Sequence, residues 1–234
     1  MYVGREVLHT TKGIGGEGSG LSRQFSDRHG HVFVPGGGNV FYAPLWHPAL
    51  SGSTFTTIDT TGYLCTVTGA VYGATGRTFD GDDKIVIASA ITIATANPWT
   101  ILSWSKPTGT INKWPIMGSS TDSCRLQYTN ADSRVHFYSA NGTFFYMDIA
   151  PPTNTWVNIS LVCDGAGTIT FFKNGSMVVP RTYANTALSI DVIGYYGLGS
   201  NYFTGTIGEG LIYTRALSAA EVLNHNLATK WRYK

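Results

Sequence analysis

The chain has 234 residues, a formal net charge of +2 at pH 7, and only 13% charged against 43% hydrophobic residues. It contains 28 glycines, 13 tyrosines, 11 phenylalanines and 6 tryptophans. This composition excludes a disordered chain and favours β-sheets joined by tight turns. A near-neutral charge without a lysine or arginine run also argues against nucleic acid as a partner.

Targeting and redox signals are weak. No apolar run reaches the roughly 20 residues that a membrane helix needs, so we expect no membrane insertion. No signal peptide is visible in Met1–Glu6, which fits a protein of a virus particle or one exported by another route. The three cysteines, Cys65, Cys124 and Cys163, form neither a disulfide framework nor a zinc motif, and we expect them to be apolar strand residues.

The chain begins with a glycine-rich segment, residues 1–40, that differs in composition from the remainder. Residues 13–18 formally match a glycine motif of nucleotide-binding proteins, but no buried strand precedes them and no amphipathic helix follows. We interpret residues 1–40 as an arm or docking segment that orders against a partner. Residues 41–234 are predicted to form one domain.

From Phe41 onward the pattern predicts short strands. Trp99 and Ile101 fall on one face of a strand and Trp104 on the other, because side chains alternate along a strand. Residues 155–175 predict a β-hairpin whose second strand ends in Asn174-Gly175, a pair typical of tight turns. Further strands are predicted at 64–69, 76–87, 116–118, 125–128, 134–139, 144–149, 188–194 and 205–213. So many short strands indicate an all-β, two-sheet antiparallel jelly-roll sandwich.

One short helix is predicted near the C-terminus. Ser218 and Glu221 have the spacing of a capping box, in which each side chain accepts a hydrogen bond from the backbone amide of the other. Leu217 and Val222 stand at the positions of a hydrophobic staple. We expect the helix to run to about Thr229.

Four segments, in this order along the chain, carry a family resemblance. They are GRTFDGDDKI at 76–85, WTILSWSKP at 99–107, the hairpin at 156–175, and FTGTIGEGLIYTRALSAAE at 203–221. They resemble motifs of the concanavalin A-like lectin/glucanase superfamily, and within it the laminin G-like jelly rolls of bacterial and phage proteins. The resemblance implies the sandwich fold for residues 41–234. It does not decide the function, because this fold hosts lectins, adhesion modules, lyases and glycosidases.

The resemblance also implies candidate calcium ligands. In relatives, acidic residues of the closing strand and of a D-x-x-G loop sometimes hold a structural calcium, and here they correspond to Glu209 and Asp59. Asp80 and Asp82 lie in an acidic turn that could attract a cation or be simply solvated. The closing motif has Gly208 where relatives have aspartate, which removes one ligand of the six to eight oxygens that calcium takes. We expect no cofactor, and calcium is the one ion that the resemblance leaves open.

The sequence predicts no enzyme. Glucanases of the superfamily need two neighbouring carboxylates, and no glutamate here pairs with another carboxylate along a strand. No nucleophile-elbow motif is present either. The alternative is a polysaccharide lyase or glycoside hydrolase of this fold, in which Arg134, His136 and Tyr138 share one strand face and act with Arg125.

We therefore interpret the chain as a non-catalytic, lectin-like binding or structural module. Flat aromatic rings stack on sugars and polar neighbours fix their orientation. The candidate glycan-binding residues are Trp104, Arg134, His136 and Tyr138 on one sheet surface, and Tyr195, Tyr196 and Tyr202 in a tyrosine-rich loop.

The partners that we expect follow from this interpretation. They are a cell-surface or polysaccharide glycan and, through residues 1–40, other proteins of a virus particle. The protein would then decorate a phage capsid or tail and mediate adhesion there. Homo-oligomer formation is left open.

Overall fold

The computed structural model describes residues 24–27, 30–33, 37–109, 113–121, 124–129, 134–140, 144–147, 153–182, 187–197 and 201–234. In these ranges a 3-10 turn spans Pro48–Leu50 and helix α1 spans Ala219–Thr229. The strands are β1 (Gln24–Asp27), β2 (Gly30–Phe33), β3 (Asn39–Pro44), β4 (Thr54–Thr56), β5 (Leu64–Thr68), β6 (Val71–Gly73), β7 (Gly76–Asp80), β8 (Lys84–Ile93), β9 (Trp99–Pro107), β10 (Lys113–Gly118), β11 (Arg125–Thr129), β12 (Arg134–Tyr138), β13 (Phe144–Met147), β14 (Val157–Cys163), β15 (Thr168–Lys173), β16 (Ser176–Thr182), β17 (Leu188–Ile193), β18 (Tyr195–Tyr196), β19 (Asn201–Tyr202) and β20 (Thr204–Tyr213).

Two large antiparallel sheets form a sandwich. Sheet I has the strand order β13-β12-β11-β10-β17-β8-β5-β4. Sheet II has the order β16-β15-β14-β9-β20-β7-β6, and β3 also pairs with β20. The predicted all-β sandwich with one C-terminal helix is confirmed.

The core lies between the inner faces of the two sheets. Trp99 and Ile101 of β9 point inward and are fully buried, as their alternation predicts. The ring of Trp99 meets that of Phe137 from β12 at 5.1 Å between centroids, which joins Sheet II to Sheet I. Cys65, Cys124 and Cys163 are all buried free thiols, as expected.

Helix α1 covers part of the outer face of Sheet II. The capping box forms as predicted: the Ser218 hydroxyl accepts from the Glu221 amide at 3.3 Å, and the Glu221 carboxylate accepts from the Ser218 amide at 2.8 Å. The Arg215 guanidinium reaches the same carboxylate at 2.6 Å. Beneath the helix lies a second apolar cluster, called here the outer cluster: Tyr42, Trp46, Leu102, Trp104, Val162, Phe172, Leu211, Tyr213, Leu217, Val222 and Tyr233.

A buried arginine from the first family motif hydrogen-bonds to the backbone of two loops. Arg77 is 2% exposed and donates to the carbonyls of Ala70 at 2.8 Å, Leu50 at 2.5 Å and Gly52 at 2.6 Å. Burial lowers the pKa of the guanidinium. The planar fork of arginine suits three carbonyls that a single ammonium group could not reach together.

The hairpin that ends in Asn174-Gly175 has the predicted tight turn. Asn174 and Gly175 both have positive φ, +51° and +78°, and the Asn174 side chain accepts from the amide of Asn158 at 2.9 Å. Edge strand β16 follows this turn. It contains Pro180, and its pairing with β15 shifts register at Phe171/Phe172.

Strands β1 and β2 form an antiparallel hairpin within the predicted arm. The proposed division at residue 40 stays a prediction, and residues 1–23 lie outside the described part of the chain. In the ranges that are described, no helix is long and apolar enough to span a membrane.

Candidate functional site

The outer face of Sheet I carries a cluster of aromatic and polar side chains on three neighbouring strands. In β12, Val135 and Phe137 point into the core, so Arg134, His136 and Tyr138 share the outer face. The predicted common face of these three residues is therefore present in the fold.

The neighbouring strands complete this face through their register. In β13, Phe144 lies opposite Tyr138 and Tyr146 opposite His136. The ring of Phe144 is 4.6 Å from that of Tyr138 and 5.7 Å from that of Tyr146. Phe144 is 41% exposed. We call Tyr138, Phe144 and Tyr146 the aromatic platform.

His136 lies beneath the platform and is only 6% exposed. Its ring is edge-on to Phe144, 4.8 Å between centroids, and its Nε2 is 3.3 Å from the hydroxyl of Thr129. A histidine held in this way supports the rings above it and presents little of its surface to solvent. This restricts its use as a general base, which must reach its substrate.

Arg125 of β11 is held between two tyrosines. Its guanidinium carbon is 3.5 Å from the ring centre of Tyr138 and 4.1 Å from that of Tyr196, and its Nε donates to Gln127 at 3.0 Å. Burial lowers the pKa of this guanidinium, although the tyrosines oppose the change. The stack fixes the orientation of Tyr138 and links the platform to the tyrosine-rich loop.

Two more guanidinium groups flank the platform. Arg134 lies over the ring of Tyr146 at 4.0 Å, and Arg181, from edge strand β16 of Sheet II, lies over the same ring at 5.3 Å. The rim of the platform thus carries donors that can bind hydroxyl or carboxylate oxygens.

The tyrosine-rich loop divides between two places. Tyr196 is buried and belongs to the site through its contact with Arg125. Tyr195 and Tyr202 pack on each other at 4.6 Å, and the Lys84 ammonium lies 5.2 Å from the Tyr195 ring. Burial, then the neighbouring tyrosines, raises the pKa of Tyr195. These two residues form a separate aromatic pair.

The expected position of Trp104 is wrong. Trp104 does point away from the core, but it belongs to Sheet II, whereas His136 and Tyr138 belong to Sheet I. It is 4% exposed, stacks on Tyr233 at 4.7 Å, and its indole donates to Thr229 at 2.8 Å. The C-terminal helix covers the surface that strand alternation alone leaves open.

The predicted calcium ligands do not form one site in the described residues. The Asp59 carboxylate accepts from the amides of Tyr42, Thr61 and Gly62 at 2.8 to 3.0 Å, so it acts as a backbone cap. Glu209 is fully buried, 3.2 Å from His225 under helix α1. Neither residue fits a calcium site as the resemblance implied.

Asp80 and Asp82 do come together, with Asp83. Their carboxylate oxygens lie within 4.8 Å of one another at the turn after β7. Hydrogen bonding and repulsion from Asp80 raise the pKa of Asp82, and burial raises that of Asp83. The Asp83 carboxylate already accepts from the Asp80 amide at 3.0 Å. With one oxygen from each residue, the three carboxylates supply three of the six to eight oxygens that calcium takes, and backbone carbonyls or water would have to supply the remainder.

Phe144 and Tyr146 were missed by the sequence interpretation. They became part of the site because β13 folds back on β12 and continues its outer face. The signal was available in the alternation of Phe144 and Tyr146 with the buried Phe145 and Met147.

Comparison with known proteins defines the class. The laminin G-like family model of the concanavalin A-like lectin/glucanases superfamily matches residues 79–223, more than half of the chain. The protein therefore belongs to this superfamily. Among curated proteins, no sequence matches the chain significantly.

Several solved structures share the fold. Domain 4 of an extracellular arabinanase from Geobacillus stearothermophilus, in complex with arabinotriose, is 18% identical with a TM-score of 0.63; the match covers 80% of this chain and 98% of that domain. The botulinum neurotoxin serotype D binding domain is 12% identical with a TM-score of 0.61, covering 81% of this chain and 51% of that domain. The binding domain of Paraclostridial Mosquitocidal Protein 1 is 13% identical with a TM-score of 0.60, and the match covers 83% of this chain and 52% of that domain.

This chain spans about half the length of the toxin binding domains. At such identities the likeness concerns the fold alone.

Proposed function

We propose that the protein is a non-catalytic glycan-binding module and that the aromatic platform on Sheet I is its binding surface. The observation that carries the proposal is the contiguous row of Tyr138, Phe144 and Tyr146, with rings 4.6 and 5.7 Å apart and Phe144 well exposed. Aromatic faces of this kind pack against the apolar faces of sugar rings. The arginines around the row supply hydrogen-bond donors for sugar oxygens.

Fold relatives support this assignment without deciding it. The arabinanase domain was solved with arabinotriose, and other relatives are binding domains of toxins. Superfamily membership is compatible with binding or with catalysis.

A lyase using the same surface is the second candidate, because Arg125, Arg134, His136 and Tyr138 do lie on one face. The low exposure of His136 favours binding over proton transfer. Incubation with uronate polymers tests this candidate, since lysis creates a double bond that absorbs in the ultraviolet.

The glycan-binding proposal is tested on a glycan array followed by titration calorimetry. Phe144→Ala and Tyr146→Ala should each weaken binding of the best glycan about tenfold, the equivalent of about 1.4 kcal/mol. Met177→Ala is the matched control, because Met177 is 62% exposed on edge strand β16 of Sheet II. An array without hits, or wild-type affinity in both platform variants, would refute the proposal.

We also propose that this module lies on the surface of a virus particle, as a phage capsid or tail protein joined to its assembly through the N-terminal arm. The glycine-rich composition of residues 1–40 supports an arm that orders against another protein. Removing residues 1–36, which retains β3, should leave a folded domain that no longer joins its assembly. Retained assembly would contradict the proposal.

A further inference from the structure

A groove lies on the opposite side of the molecule from the platform, between helix α1 and the outer face of Sheet II. Its volume is about 410 Å³, within the range of roughly 300 to 1,000 Å³ that small-molecule sites occupy. The lining residues are Trp104, Trp156, Asn174, Leu223, Asn226, Leu227, Lys230 and Tyr233. None of them contributes to the platform.

The end of the groove is defined by a close approach of hairpin and helix. At Gly175 a Cβ atom would come within 3.1 Å of Leu223 and Asn226, so the tight turn places Asn174 beside the helix only because its neighbour is glycine. The family hairpin motif therefore shapes this groove in addition to the sheet.

The floor of the groove is aromatic. The Tyr233 ring lies 4.7 Å from that of Trp104 and 4.8 Å from that of Trp156. Trp104 and Tyr233 are almost fully buried, while Trp156 is half-buried and accessible from the groove. Tyr233 contacts both indoles, and the Lys106 ammonium lies 5.5 Å from the Trp156 ring centre, so Trp156 offers a pre-ordered surface.

The helix supplies an aliphatic wall. Leu223 and Leu227 are one helical turn apart and 41% and 47% exposed. Together with Trp156 they form two apolar surfaces that a thin, ring-shaped ligand can contact at once.

Polar groups stand among these apolar surfaces. Asn226 is 5% exposed, and its Oδ1 accepts no hydrogen bond from the residues that the structure describes. The Asn174 oxygen is used by the amide of Asn158, which leaves its NH₂ group to donate, and Lys230 is exposed at the rim. A ligand hydroxyl group can donate to the Asn226 oxygen and accept from the Asn174 amide or the Lys230 ammonium.

From this arrangement we infer that the groove is a second saccharide site, for one or two sugar rings, independent of the platform. Sugars present apolar faces and hydroxyl edges together, as the groove does. No lining residue is a carboxylate, so a cation is not the occupant. With both sites occupied, one molecule would bridge two glycan segments on opposite faces of the sandwich.

The test follows amide and indole NMR signals of the full chain during titration with arabinotriose, cellotriose and maltotriose. At least one trisaccharide should shift the indole signal of Trp156 and the side-chain amide of Asn174. Signals of Gln127 report on the platform separately, so failure at one site is distinguished from failure at the other. Absence of shifts at the groove with all three sugars overturns the inference.

Two surface variants sharpen this test. Leu227→Gln and Lys230→Ala alter the wall and the rim without disturbing a buried group, and each should weaken groove binding at least fivefold. Leu64→Gln, at a residue 53% exposed on β5 of Sheet I, is the control and should bind like the wild type. Equal affinity of all three variants would show that the shifts arise elsewhere and would also overturn the inference.

Discussion

The ring of Tyr233 lies against the backbone of Gly208, in the space where a side chain at that position would stand. The family resemblance implies aspartate at this position of the closing motif, where this chain carries glycine. Glycine at 208 thus allows the C-terminal tail to enter the outer cluster and stack on Trp104 and Trp156. With glycine at this position, the space beside the strand is filled by the ring of Tyr233.

Gly208→Ala should lower the free energy of unfolding by about 2 kcal/mol, because the added methyl group overlaps Tyr233. Chemical denaturation measures this loss. In a Tyr233→Ala background the same substitution should cost less than about 0.5 kcal/mol. Equal costs in the two backgrounds would mean that the tyrosine does not occupy this space.

Arg77→Lys should destabilise the protein by about 3 kcal/mol, because an ammonium group leaves at least one of three carbonyls, two of them buried, without a donor. Thermal and urea unfolding provide the measurement. Arg215→Lys is the control: Arg215 is part of a surface pair, 30% exposed, and the change should cost less than about 1 kcal/mol.

Glu221→Gln should remove part of the decrease in the free energy of unfolding that acid pH causes. Hydrogen bonding from Arg215 lowers the pKa of Glu221, so its carboxylate stabilises the fold above its unfolded pKa of about 4.3 and loses this effect as pH falls through the lowered value. We expect the variant to be about 0.5 kcal/mol less stable than the wild type at pH 7 and equally stable near pH 2. Urea unfolding of both proteins between pH 2 and pH 7 measures this difference. A difference in stability that stays constant with pH would contradict the role of the Glu221 carboxylate.

The thiols should resist reaction with Ellman's reagent in the folded protein. Burial, with the charge of Asp59, raises the pKa of Cys65 to about 12, so only about one molecule in 10⁴ carries that thiolate at pH 8. Cys124 and Cys163 are fully buried as well. Within minutes, Ellman's reagent should detect no thiol in the folded wild type and all three thiols in guanidinium. In the folded Ser176→Cys variant it should detect one thiol, because position 176 is exposed. Rapid reaction of the wild type would disprove the burial.

The sequence predicted the features that depend on residues close together in the chain. The capping pair Ser218 and Glu221, the Asn174-Gly175 turn and the inward face of Trp99 each follow from spacing within a few residues. The four family motifs then supplied the arrangement of the strands.

Features that depend on distant contacts were not predictable in this way. Trp104 was expected on an open surface because strand alternation gives a direction and no information on what covers it. Its cover comes from Thr229 and Tyr233, more than a hundred residues away. For the platform, alternation gives the outward direction of Phe144, whereas its position opposite Tyr138 depends on the register between β12 and β13.

Edge strand β16 affects how copies of this domain behave at high local concentration. Pro180 cannot donate a backbone hydrogen bond, and the register shift beside Phe172 bends the strand, two devices that prevent a sheet from being extended by another molecule. At high local density this edge of Sheet II should therefore be a poor template for extending the sheet from one copy to the next. We expect such a domain to aggregate less in a dense array than a sandwich with a flat, proline-free edge strand.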